Sequence, residues 1–481
     1  MAFLSPWFLV LIGPGLLLYH FISQKKQNFL LLAASYAFYG ALDPRFLCLI
    51  LLSTTADYLV ARGIHLAGSV SKKRVYLGIS LAVNLGVLFL FKYLGFFVST
   101  IAGLARALGL SLPEPALHII VPAALSFYTF KTLTYTIDVY RGHLAPTRSF
   151  LDYALFVSFF PQLLAGPIER AAHFLPQLHA PRSLTKDRLI QGFWLILLGF
   201  FKKAVVADNL ALVVNEVFDG SAAVAGFHVL LATYAFSFQI YCDFSGYSDI
   251  ARGIGKLLGF ETPLNFNRPY LSLNPVDFWQ RWHITLSTWL RDYLFLPIAY
   301  AVMRRMEKPF LRLKVEDWGY VTGILLTMLL AGLWHGAAWT FVFWGGYHGL
   351  LIALHHLLAR RKKRRRRSSK IAMLAKAFAF FHLTALGWLI FRAQSLDQAW
   401  DFLRRIFVDF PVAAADIQML FMPIFYLFIL LGLEALGCSR DDPRSIPGWR
   451  FGLGPALVTV LILLLIFFYA PAGQDFIYAR F

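Results

Sequence analysis

Two histidines of this sequence stand where an imidazole could move a proton. One is His335, in "GLWHGAAWTFVFWGGYHG" (332–349), among small and aromatic residues with no acid or lysine within ten positions on either side. A lone histidine in apolar surroundings is most often a hydrogen-bonded structural residue, so the rest of the chain must decide its role. The other is His283, in "NPVDFWQRWHITLSTWLRDY". Here Asn274 can cap a helix, Pro275 suits its first position, and Asp277 adds a favourable charge in the first turn. Wound as one helix, Trp279, Trp282, Leu286, Trp289 and Tyr293 gather on one face, with Gln280, His283, Ser287 and Arg291 about 130° away. The spacing predicts a polar stripe turned toward a solvent-filled site, or, more plainly, toward the cytosol. A neutral imidazole in a desolvated pocket stays available as a base at neutral pH, and general-base catalysis contributes roughly 10²–10⁴-fold. Metal catalysis is disfavoured. Neither histidine has an HxxxH or HxxE companion, and His355 and His356 are merely adjacent.

A second group of polar residues lies at the end of an apolar stretch, in "QIYCDFSGYSDIARGIGKLLGF". Asp243 and Asp249 would be costly against lipid, so they should face an aqueous cavity or protein partners. Two readings carry equal weight: direct substrate contact, or a hydrogen-bond network stabilising a helix break at "FSGYSD".

These residues need elements to hold them, and the composition says which kind. The 481 residues are 58% hydrophobic and 17% aromatic, with only 15% charged. Mean hydropathy is +0.62, far above a soluble domain of this length. Apolar stretches recur from 3–22 to 454–470, and a helix needs roughly 20 residues to span a bilayer core. The sequence therefore predicts an all-α polytopic membrane protein with about 11–14 membrane helices, some short or re-entrant. The first apolar segment lacks a basic n-region and a small-residue cleavage pattern, and reads as a retained helix. The net charge of +19 sits between spans. "RRKKRRRR" (Arg360 to Arg367) reads as a loop held against anionic lipid, and without interleaved aromatics it does not read as a nucleic-acid site. Cys48, Cys242 and Cys438 are scattered and suggest neither disulfide framework nor zinc.

Basic loops also orient the chain. Lys25–Lys26, Arg62 with Lys72 to Arg74, and Arg141 with Arg148 flank alternate spans, as expected for inside loops and an outside N-terminus. The loop at 304–314, the 360–367 run and the 438–450 loop read as inside too. A helical hairpin would then carry His335 out and back, away from both basic loops. "SLDQAWDFLRRIF" differs in kind: Ser395 and Gln398 form a capping box, and Leu396, Trp400, Leu403, Phe407 and Phe410 share a face. That predicts a helix lying in the membrane interface.

Several stretches together resemble one family, the membrane-bound O-acyltransferases (MBOAT), and within it the alginate O-acetyltransferase branch. They are "LSFYTFKTLTYTIDVYRG" (125–142), "FPQLLAGPIERAAHFLPQL" (160–178), "DFSGYSDIARGIGKLLGF" (243–260), "NFNRPYLSLNPVDFWQRWHITLSTWLRDYLFLP" (265–297), the His335 stretch, "GWLIFRA" (387–393) and the terminal "FIYARF". The resemblance implies a single transmembrane domain over 1–481: peripheral helices to 124, core motifs over 125–393, and an interfacial helix and closing helices beyond. It also implies a central tunnel, His335 as the catalytic histidine, and His283 as the second position linked to activity. The donor it implies is a cytoplasmic acyl thioester, most simply acetyl-CoA. The acetyl group would cross the bacterial inner membrane to a periplasmic SGNH-hydrolase-like partner that acetylates an exopolysaccharide.

On this reading the candidate substrate contacts are Asp243, Ser245, Tyr247, Asp249, Asn267, Arg268, Gln280, Trp282, Ser287, Arg291, Trp334 and Lys131. Lys131 stands where the branch usually has Gln, and should face the tunnel or pair with an acid. "IAYAV" after "DYLFLP" and "FIYARF" for FIYFQF also depart from the branch, and bear on the partner and glycan more than on the chemistry. Acyl transfer from a thioester needs a base for the acceptor proton and a dry site, which the aromatic setting of His335 could supply. Two alternatives remain: D-alanyl transfer to teichoic acid from a carrier-protein thioester, and a transporter using Asp243, Asp249 and Lys131 as an ion route.

Overall fold

The computed structural model describes residues 15–16, 18–110, 119–220, 224–309, 311–360, 369–412, 420–438, 441–446, 449, 452–470 and 477. Helices dominate them, and no β-strand occurs among the described residues. Six helical runs are long and apolar enough to cross a bilayer, namely Pro44–Leu66, Val70–Ala107, Lys186–Phe218, Val315–His335, Trp339–Arg360 and Lys370–Arg392. Phe421–Leu436 and Leu453–Phe468 are shorter apolar helices. The chain is an all-α polytopic membrane protein. The basic run beyond Arg360, the 3–14 stretch and most of "FIYARF" lie outside the described residues.

Its contacts group into two compact units, residues 1–192 with 251–262, and residues 193–250 with 263–481. The first unit holds α1 (Gln24–Gly40), α2 (Leu47–Leu66), α3 (Val70–Leu88), α4 (Leu94–Ala107), α5 (Leu125–Arg141), α6 (Phe150–Ser158) and α7 (Ala171–Gln177). Hydrogen-bonding side chains tie its helices together, as they can where lipid offers no hydrophobic drive between helices. Asn84 of α3 donates to Asp57 of α2 at 2.8 Å, and its carbonyl accepts from Ser53 at 2.5 Å and from Thr132 of α5 at 3.0 Å.

Helix α8 (Lys186–Phe200) leads into the second unit through a π-helical turn (Phe201–Ala207), followed by α9 (Asp208–Phe218) and the long α10 (Gly226–Leu257). Helix α10 runs unbroken through "FSGYSD", so the expected helix break there does not exist. Next come α11 (Pro275–Trp279), α12 (Ile284–Leu290), α13 (Leu296–Arg305), α14 (Val315–His335), α15 (Trp339–Arg360), α16 (Lys370–Arg392), α17 (Leu396–Val408), α18 (Phe421–Leu436) and α19 (Leu453–Phe468).

Helices α14 and α15 form a hairpin with His335 as the last residue of its first arm. Small residues let the two backbones touch: a Cβ on Gly345 would lie 2.1 Å from the Met328 carbonyl oxygen, and one on Gly332 the same distance from that of Phe341. At the far end of the hairpin Asp317 pairs with His356 at 3.2 Å and with Arg360. Helix α14, 21 residues from Val315 to His335, sets that end about 30 Å from His335. Ser395 caps α17 by accepting from the Gln398 backbone at 3.1 Å. Ala399 and Phe402 of α17 are buried, whereas Trp400 and Phe407 are exposed.

Candidate active site

The Asn274 cap forms as its residue types dictate, its side chain accepting from the Asp277 backbone at 3.0 Å. The helix it starts is short. An extended segment competes for its backbone: Asn267 N–H donates to the Arg281 carbonyl and Ile284 N–H to that of Asn265, both at 2.9 Å. The chain therefore leaves helix at Gln280 and re-enters it at Ile284, with His283 in the left-handed region (φ 41°, ψ 54°). The polar stripe expected from one continuous helix is absent. Gln280 and Arg291 are exposed, Arg291 pairing with Asp292 at 2.8 Å, while His283 is fully buried. A non-glycine residue held in this region costs on the order of 1–3 kcal/mol, and such strain concentrates at functional sites.

Asn265 holds that imidazole. Its Oδ1 accepts from the Thr285 backbone N–H at 3.3 Å and the Thr285 hydroxyl at 2.9 Å, and lies 3.2 Å from His283 Nδ1. The backbone donor identifies this atom as oxygen, so Nδ1 carries the proton of the neutral ring and Nε2 keeps the lone pair. Burial pushes the His283 pKa down to about 3, leaving the ring neutral at physiological pH.

The second imidazole is close by. Trp334 neighbours both, its ring 6.4 Å from that of His283 and 4.9 Å from that of His335. His335 is 3% exposed and also packs edge-on against Trp344 at 5.0 Å and Phe391 at 5.5 Å. Phe244 of α10 meets His283 perpendicularly at 4.6 Å. The structure thus brings His283, His335 and Trp334 together in a dry aromatic setting. Trp282 packs beside them on Trp388 at 4.8 Å.

Other expected contacts are differently employed. Asp243 accepts from Lys203 and from the Ile477 backbone, both at 2.7 Å, and Asp249 pairs with Lys202 at 2.7 Å. Lys203 also pairs with Asp208 at 2.6 Å, and Tyr241 nearby donates to Glu434. Both acids are thus held in an ion-paired, hydrogen-bonded network, and the helix it braces is continuous. Ser245 and Tyr247 are buried on α10, Ser287 donates to the Trp282 carbonyl at 3.1 Å, Asn267 is exposed, and Arg268 is half-buried. Lys131 belongs to the first unit. It lies over the rings of Phe156 and Phe174 at 5.0 and 5.8 Å, and reaches Glu169 through Gln162 (3.4 and 3.3 Å).

Sequence reasoning missed Asn265, Phe244, Lys202 and Lys203. The lysines had a signal: two adjacent cations and Asp208 inside an apolar run must find buried partners. Asn265 had none, because its role comes from a backbone pairing that no periodicity announces.

Two buried imidazoles among aromatic rings, on a scaffold with membrane-spanning helices, fit an acyl-transfer enzyme of the bilayer. The chain belongs to the membrane-bound O-acyltransferase (MBOAT) family, whose sequence model matches residues 141–385. Within that family it falls in the alginate O-acetylase branch. It is 38% identical to a probable alginate O-acetylase of Azotobacter vinelandii over 409 residues, 85% of this chain and 78% of that protein. It is 33% identical to a peptidoglycan O-acetyltransferase of Helicobacter pylori over 437 residues, 84% and 79% of the two chains. A teichoic acid D-alanyltransferase of Bacillus subtilis is 29% identical over 289 residues, 58% of this chain and 71% of that protein. The protein is an O-acyltransferase.

Proposed function

We propose that this enzyme O-acetylates an alginate-like exopolysaccharide from the bacterial inner membrane, taking acetyl from acetyl-CoA on the cytoplasmic side and delivering it to the periplasm. The observation that carries the reading is the pair of buried imidazoles that both neighbour Trp334. His335 removes the proton from the acceptor hydroxyl as its oxygen attacks the thioester carbonyl. The C–O bond forms, the C–S bond breaks, and the leaving thiolate takes the proton back from His335. His283 presents an acceptor at Nε2, which cannot polarise the carbonyl; of its two expected roles it fits positioning of the acceptor, before the hydroxyl turns its one proton to His335.

The hairpin supports the direction. With the basic loops inside, His335 stands about 30 Å from them, near where an exported acceptor arrives. That acceptor is a serine of an SGNH-hydrolase-like periplasmic partner, or the glycan itself. Asp243, Asp249 and Lys131 act in this reading as buried structural charges. Proteoliposomes given labelled acetyl-CoA outside and partner with glycan inside test it. Label appearing on the inside acceptor supports the reading. Transfer only from a D-alanyl carrier-protein thioester would support the teichoic-acid alternative instead.

A further inference from the structure

A third imidazole lies in the same unit and has no part in the scheme above. His348, on α15, is fully buried and sits in an aromatic cage: Phe278 stacks on it at 6.1 Å, and the rings of Trp279, Trp344 and Trp388 lie 5.4, 5.0 and 6.4 Å away. Gly387 makes room for it, since a Cβ there would lie 2.8 Å from its Nε2. Among the described residues no hydrogen-bond partner is found for either ring nitrogen of His348, nor for the indole nitrogens of Trp279, Trp344 and Trp388. Most buried polar atoms in proteins are paired, and leaving one unpaired costs about 1–3 kcal/mol, so five within one cluster call for an explanation.

Their chemistry narrows it. Indole N–H groups only donate, and a neutral imidazole donates from one nitrogen, so the cluster offers four donors against one acceptor. Such a set suits an oxygen, above all one that gains negative charge during reaction. The cluster also adjoins the reaction centre, because Trp344 touches His348 and His335 alike, each at 5.0 Å between ring centroids.

We propose that His348, Trp279, Trp344 and Trp388 form a subsite for the carbonyl oxygen of the transferred acyl group. This rests on the acyl-transfer reading above. Removal of the acceptor proton by His335 and stabilisation of the carbonyl oxygen by these donors are then separate tasks of groups that share Trp344 as a neighbour.

The test measures binding, without turnover, to the full-length protein in nanodiscs. Two unreactive probes are compared: the ketone analogue of acetyl-CoA, CH3–CO–CH2–S–CoA, and carbonyl-free propyl-S-CoA. The wild type should bind the ketone roughly 5- to 10-fold more tightly, the value of about one hydrogen bond. His348→Phe, which keeps a ring, and Trp388→Phe, which removes one N–H, should each shrink that preference toward unity. Equal binding of both probes by the wild type would overturn the subsite while leaving the thioester reading intact, as would an unchanged preference in both variants. Binding of neither probe would overturn the thioester reading, and the subsite with it.

Discussion

At position 283 a strained backbone and a single amide together decide which nitrogen of an imidazole is basic. Asn265 is a positioning residue in this account, because its Oδ1 fixes the Nδ1–H tautomer. Asn265→Ala should lower kcat roughly 10- to 100-fold, in the range seen when an orienting partner is lost, with donor KM little changed. Steady-state kinetics on folded variant check this; a change confined to KM would count against it. The depressed pKa of His283 carries a second expectation. Between its ordinary value and about 3 the unfolded chain binds a proton that the folded chain refuses. Stability should therefore fall as pH drops below about 6.5 and be unaffected by this group above it. His283→Gln should flatten that acid-side slope in thermal unfolding, which would otherwise stay as steep as in the wild type. Both histidines were visible from residue type and setting, but the tautomer was not. It depends on a contact between residues eighteen positions apart, made by backbone pairing rather than by helical spacing.

Among elements, the hairpin of α14 and α15 was the most legible, because two apolar runs between basic loops leave few other folds. Its tight seam follows from Gly332 and Gly345, where any side chain would meet a carbonyl oxygen of the opposite arm. Gly345→Leu should abolish the monodisperse folded species in size-exclusion chromatography. Gly346→Ala, whose added methyl would meet only Leu329 at 3.4 Å, should leave it unchanged. The segment 275–293 shows where periodicity fails. Its cap and first turn were readable from Asn274, Pro275 and Asp277, yet the stripe of Gln280, His283, Ser287 and Arg291 dissolves once Asn265 and Asn267 claim the backbone at 281–284. The acids of α10 teach a related point. Asp243 and Asp249 were rightly marked as too costly for lipid, but their partners sit on a π-helical turn some forty residues earlier. A buried pair of this kind is weak evidence both for catalysis and for stability.

At the scale of the molecule, the class of protein was set by apolar length and by basic loops, quantities that survive errors in any one element. Helix α17 adds an exposed face with Trp400 and Phe407. In the proposed reading the whole keeps a thioester and a hydroxyl together, away from water, while the acyl group changes compartment, and the proton transfer rests on His335. The most direct measurement is the rate of acetyl transfer from labelled acetyl-CoA by wild type and His335→Ala, each in proteoliposomes and each shown folded by its unfolding temperature. A loss of roughly 10²–10⁴-fold with the fold intact is the expected result for a missing general base. A folded His335→Ala protein that transfers acetyl at the wild-type rate would contradict the account.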